Sequence, residues 1–370
     1  MWSERPGATA RFCLKYELLD FSLTALPVVA CSKRCLCLYV AAAVCTIGES
    51  YDYSRRYMKN KNRKAAIIWT LRVILAVSLI TGCKSTATLP SIAYWHSICY
   101  GKGKFVAVAH GSNKAAYSAD GIKWKTATLP DEAAWYSLCY GNDRFLTIAH
   151  DSNKVAYSAD GTKWKTAILP GEAAWYSVCY GKGKFVAIAE GSSKAAYSAD
   201  GTKWKEAILP DEESWYSICY GNDRFLAIAH YSNKATYSAD GIEWTAATLP
   251  DEAAWYSVCY GKGKFVAVAE GSSKAAYSID GTRWKATALP GEASWRSVCY
   301  GNDKFVAVAE DSVKAAYSED GIKWTESIMP DRKSWKNICY GNDKFVAIDY
   351  GSVMDGSNKT AYSDDGINWK

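Results

Sequence analysis

Cysteine is the residue whose spacing first suggests chemistry. Cys99, Cys139, Cys179, Cys219, Cys259, Cys299 and Cys339 recur every 40 residues without a slip. A zinc set needs ligands a few residues apart, and no His or Cys stands at that spacing here. Seven equivalent positions cannot all pair as disulfides, so the column reads as a small apolar residue repeated in a strand. No metal and no cofactor is expected. Two other columns change from copy to copy and carry the polar chemistry. After one repeated Trp stand His96, Tyr136, Tyr176, Tyr216, Tyr256, Arg296 and Lys336; further along each copy stand His110, His150, Glu190, His230, Glu270, Glu310 and Tyr350. Imidazoles, carboxylates, phenols and fixed cations at matching places suit recognition of a polar ligand.

One more cysteine has a chemical role of its own. From Met58 the chain runs through Lys59, Lys61, Arg63 and Lys64 into an apolar stretch broken by Arg72 and ending Leu79-Ile80-Thr81-Gly82-Cys83. A charged start, a short apolar core and small residues before a cleavage point make a secretory signal. A membrane span needs about 20 apolar residues, and this core is too short. Residues 58–82 are therefore expected to be a signal peptide. Residues 1–57 cannot precede a signal that works from the amino terminus, so they are expected to be untranslated, the start having been assigned too early. A membrane segment over 26–47 is the alternative, weakened by Lys33 and Arg34.

Charge supports this division. The whole chain carries 44 Lys and Arg against 38 Asp and Glu, a net +6, but residues 1–82 hold 12 bases against 5 acids. The rest is close to neutral, which argues against a nucleic-acid groove.

The elements that must position the two columns follow from the repeat. Fourteen of the 16 Trp fall in two columns, at Trp135 and Trp164 in the second copy, for example. Within that copy the apolar period is two: a strand at 135–140, a turn at Gly141-Asn142-Asp143, a second strand at 145–150 and a third at 155–158. Asp160-Gly161 is a hairpin dipeptide leading to a fourth strand around Trp164, and Pro170 closes the unit. Four short strands per 40-residue copy, seven times over, predict an all-β fold, a seven-bladed β-propeller of four-stranded repeats spanning 83–370 as one closed ring. A linear solenoid is the rival; it would need distinct capping repeats.

The segment Ser118-Ala119-Asp120-Gly121-Ile122-Lys123-Trp124 resembles the Asp-box of bacterial neuraminidase-type (BNR-like) repeats, in a form one residue shorter between Asp and Gly. The resemblance covers residues 84–370. It implies a sialidase-like propeller in which Asp120, Asp160, Asp200, Asp240, Asp280, Asp320 and Asp365 brace the turn between third and fourth strands. Gly82-Cys83 is likewise similar to the bacterial lipobox, which implies lipidation at Cys83 and an exported protein anchored to the cell envelope.

In a propeller of this strand order the two variable columns ring one mouth of the channel, opposite the Asp-box turns, and an insertion within 349–357 falls on the same face. The four tyrosines after the repeated Trp are expected to offer flat faces for stacking on sugars, with the other columns supplying polar contacts. Solvated loop ends are the plainer reading. Sialidase chemistry in the resembling family needs three arginines around the substrate carboxylate. Of Arg144, Arg224, Arg283, Arg296 and Arg332, the first two sit in turns on the far face and Arg283 in a fourth strand, leaving two near the mouth. The expectation is a non-catalytic lipoprotein, not an enzyme, binding a glycan or an envelope or host protein. The alternative is a sialidase-like glycoside hydrolase.

Overall fold

A computed structural model describes residues 87–352 and 354–370. The segments 1–57 and 58–82, with Cys83, lie outside the described residues.

The first copy forms β1 (Thr88–Gly101), β2 (Lys104–His110), β3 (Ser112–Ser118) and β4 (Lys125–Ala133). The second forms β5 (Trp135–Gly141), β6 (Arg144–Ala149), β7 (Ser152–Ser158) and β8 (Lys165–Ala173). Each set pairs antiparallel in chain order, and later copies repeat the pattern. The fold is all-β, a propeller-like array of four-stranded units, with no helix among the described residues. The strands sort into four sheets of seven, four, ten and four strands.

Local sequence explains the turns. Between β5 and β6, Asn142 and Asp143 both take positive φ, 46° and 54°. A two-residue hairpin demands that conformation, and Asn and Asp tolerate it. Between β7 and β8, Asp160 Oδ1 accepts the backbone N–H of Thr162 at 2.8 Å and of Lys163 at 2.9 Å, while Ser158 Oγ accepts that of Gly161 at 2.9 Å. Gly161 has φ +73°, and a Cβ there would lie 2.7 Å from Val106 Cγ2 of the preceding copy, so only glycine fits.

The fourth strand departs from the sequence reading. It begins at Lys165, after Trp164, and runs through Pro170 instead of ending there. β8 is the outermost strand of its sheet, and a proline there can leave its missing N–H on the free edge.

Packing happens between copies. Val106, Val108, Ala115 and Leu129 of the first copy meet Trp135, Leu138, Phe145 and Ala149 of the second, with Cys99 and Trp164 partly buried at the margin. A middle strand such as β6 is covered on both faces and is accordingly almost wholly apolar. The seven repeat cysteines are free, and burial pushes their thiols well above the ordinary value. They are poor nucleophiles.

A repeated hydrogen bond ties each first strand to the next. Leu138 N–H donates to Ser97 Oγ at 3.0 Å, Val178 to Ser137, Ile218 to Ser177, Val258 to Ser217, Val298 to Ser257 and Ile338 to Ser297. The bond recurs between the last copy and the first, where Ile98 N–H donates to Asn337 Oδ1 at 3.3 Å. The N-terminal part of β1 also pairs with the final strand, Thr88 opposite Lys359 and Ala93 opposite Ser357.

Candidate functional site

The first variable column owes its position to a backbone irregularity. In the second copy Trp135 pairs with Ala149 and Ser137 with Ile148, leaving Tyr136 as an extra residue without a partner. The same shift occurs around His96, Tyr176, Tyr216, Tyr256, Arg296 and Lys336. A β-bulge re-aims the side chain it carries. All seven residues line one cavity of about 80 Å³, at the end of the first strands remote from the Asp160-type turns, with Ser97, Ser137, Ser177, Ser217, Ser257 and Asn337 beside them.

These side chains are not solvated loop ends. Tyr176, Tyr256 and His96 are each 9% exposed. The tyrosine faces are occupied by neighbours: Tyr176 stacks on Tyr216 at 4.1 Å between ring centres, Tyr216 on His230 at 4.1 Å and Tyr136 on His150 at 4.7 Å. Tyr176 O–H donates to the Tyr256 hydroxyl at 3.1 Å. The expectation of open faces for sugar stacking is therefore corrected, because ring-on-ring packing buries more apolar area than exposure would. Burial, with Tyr256 nearby, pushes the Tyr136 phenol up to about 12.

The second column meets the first. His150 lies between two carboxylates, Nδ1 2.9 Å from Asp151 and Nε2 3.4 Å from Glu190. His230 Nε2 stands 3.5 Å from Glu270. Arg296 binds Glu270 at 2.6 Å and also Glu310, with its guanidinium over the Tyr256 ring. The His230 imidazole and the Arg296 guanidinium hold the Glu270 carboxyl below its ordinary value. His96 Nδ1 donates to the Tyr136 carbonyl at 2.7 Å. Burial lowers its pKa well below the usual imidazole value, and Lys336 adds to the effect. His110 is lowered by burial, then by His150 and Lys336. Tyr350 packs 5.9 Å from His96 and 6.4 Å from His110. Thus all four histidines of the chain gather at one site. The arrangement offers hydrogen-bond donors and acceptors and an imidazole held between two carboxylates.

Arginine placement partly differs from expectation. Arg144 and Arg224 bind the carbonyls of Asp200 and Asp280 at the turn end. Arg283 precedes its strand, in the turn, where it pairs with Asp280 at 2.8 Å and is 90% exposed. Arg332 Nε donates to the Asp311 carbonyl. Arg296 alone of the five lines the cavity. Among the described residues no group of three or more His, Cys, Asp or Glu could hold a metal ion.

Sequence reasoning missed several participants. Asp151 and Tyr231 flank the column histidines, Tyr231 3.9 Å from the His230 ring. The inserted segment follows the buried Asp349, which ends the last second strand and whose Oδ1 accepts the Gly351 N–H at 3.0 Å. It also borders a second cavity of about 260 Å³, lined by Ile92, Tyr94, His110 and Met354 among others. The insertion itself was visible as a break in the 40-residue register.

The DUF6242 beta propeller domain family matches residues 212–337. Comparison with curated proteins gives no match. Among solved structures, a streptogramin B lyase superposes with a TM-score of 0.67 at 14% identity, covering 75% of this chain and 97% of that one. Virginiamycin B lyase from Staphylococcus aureus gives 0.65 at 15% identity, over 73% and 96%. YCF48 bound to D1 peptide gives 0.57 at 12% identity, over 74% and 92%. At such identities the likeness shows the propeller fold alone. It also corrects the expectation that the chain is not an enzyme. That expectation rested on a missing arginine clamp, which bears on one reaction, whereas the same fold carries catalysis in the lyases.

Proposed function

We propose that the chain is an exported, lipid-anchored propeller whose seven blades close into one ring, and that the mouth of its channel binds a polar ligand. One observation carries the binding reading. Four copies carry Tyr at the bulged residue and three carry His, Arg or Lys there, and all seven residues line one cavity. A purely architectural position has no reason to read His, Tyr, Arg and Lys in turn, whereas asymmetric recognition requires it. The series of inter-strand bonds that ends with Ile98 and Asn337 supports the closed ring. The bonds of Ser158 and Asp160 in the turn support the Asp-box reading. The lipid anchor at Cys83 rests on the signal-like leader.

The ligand is a glycan or a segment of an envelope or host protein. With the tyrosine faces occupied, its recognition runs through Arg296, Lys336, His110 and the carboxylates rather than through stacking. Screening the full chain on a glycan array and a peptide array, alongside an Arg296→Ala/Lys336→Ala variant, tests this. Binding lost in the double variant and retained on changing Asp160 supports the mouth; the opposite pattern places recognition at the turn end. Intact mass of membrane-extracted protein tests the anchor, which requires an acylated amino terminus at Cys83.

A further inference from the structure

Among the charged and imidazole side chains of the two columns, two lack what the others have. Glu270 and Glu310 each bind Arg296, Glu190 faces the His150 imidazole, His96 is bonded to a carbonyl, and His150 and His230 face carboxylates. Lys336 and His110 have ring contacts, but no hydrogen bond or ion pair among the described residues. Lys336 Nζ lies over the Tyr256 and Tyr350 rings at 5.3 and 5.6 Å; the His110 ring is 5.5 Å from Tyr136 and 6.4 Å from Tyr350. An ammonium carries three donors, and ring faces do not replace oxygen acceptors.

His110 also lines the second cavity, the one that the insertion creates. Its walls include Ile92 and Met354, which are 61% and 86% exposed, and Tyr94, which packs 5.2 Å from Tyr350. Tyr94 thus links this groove, whose walls also carry Ser112, Lys114 and Asp355, to Tyr350 and through its ring to Lys336. No other junction between copies has the insertion, which gives the site one distinct direction.

We propose that Lys336 and His110 receive the head of an amphipathic organic anion, a carboxylate or phosphate ester, whose short apolar chain lies between Ile92 and Met354. This rests on the reading of the mouth as a binding site and adds beside it a subsite for a small molecule. The head accepts hydrogen bonds from Lys336 Nζ and the His110 ring, and the chain covers apolar surface that is otherwise wet. About 260 Å³ admits a short chain.

The test is calorimetric titration of the full chain with four probes: octanoate, octyl phosphate, the neutral octanamide and acetate. Octanoate or octyl phosphate should bind at least about tenfold tighter than both octanamide and acetate, since head and chain each contribute at least about 1.4 kcal/mol. Whichever of the two binds better identifies the head group. Lys336→Met should abolish the advantage over octanamide, and Met354→Asp the advantage over acetate. The thermal transition of each variant reports that it is folded, and Lys336→Arg, which keeps the charge, should retain binding. If octanamide equals octanoate and Met354→Asp weakens both, the anionic class is overturned while the mouth stands. If no probe binds, this proposal falls, and the array screen decides separately whether the mouth binds anything.

Discussion

Tyr176 and Tyr256 meet hydroxyl to hydroxyl at 3.1 Å although 80 residues separate them. Two copies of the same sequence position, neither adjacent in the chain nor in neighbouring repeats, are brought together because each sits on a bulge aimed at the same cavity. The pair makes the tyrosines structural as well as candidate ligand groups.

Tyr176→Ala should therefore destabilise the protein by about 3 kcal/mol, the usual cost of removing a buried aromatic ring. Tyr176→Phe should cost only about 1 kcal/mol, the net worth of one hydrogen bond. Urea unfolding measures both. Equal, near-zero values would mean that the rings do not pack against one another as described.

Stability should fall on mild acidification. His96 and His110 have folded pKa values below their unfolded ones. A folded state that holds imidazole neutral is fully stabilised above the unfolded value near 6.5, and loses stability as pH falls below it, because the unfolded chain takes up the proton first. Glu270, whose carboxyl is also lowered, adds a loss as pH falls through the usual carboxylate range and below it. Thermal melting between pH 7.5 and 5 should show the decline, and His96→Gln should flatten it.

Asn337→Ala removes the acceptor that Ile98 N–H uses between the last and first copies. The expected loss is about 1–3 kcal/mol for a buried amide left without a partner. If the ring is closed, Ser217→Ala, which removes the equivalent bond to Val258, should cost a similar amount. A silent Asn337→Ala beside a costly Ser217→Ala would argue for an open array.

At the turn end, Asp160→Ala should cost about 1 kcal/mol by freeing two amide donors. Gly161→Ala should cost about 2 kcal/mol or more, since a side chain there meets both a positive φ and Val106. Neither should change ligand affinity in the folded protein, which a titration at fixed temperature checks.

The cysteine column offers a further check. Thiol labelling of the folded protein should be slow at Cys99 and its six equivalents and complete after denaturation, because burial disfavours the thiolate.

Strand order, turn chemistry and the two variable columns were legible in the sequence because they depend on local rules. Period two, Asp-Gly at a positive φ and a 40-residue register need no knowledge of neighbours. The fourth strand was misplaced because the cost of Pro170 depends on whether its strand is central or at an edge. The bulge at Tyr136 left no local mark, since it is a property of how Trp135 and Ser137 register against Ala149 and Ile148. The sequence could name His96, Tyr136 and their equivalents as the residues that differ. Only packing of one copy against the next decided that the tyrosines bury their faces on one another and on histidines while Lys336 and His110 are left with ring contacts alone. Such contacts join residues 40, 80 or more positions apart, and no spacing rule along the chain reports which ring will lie on which.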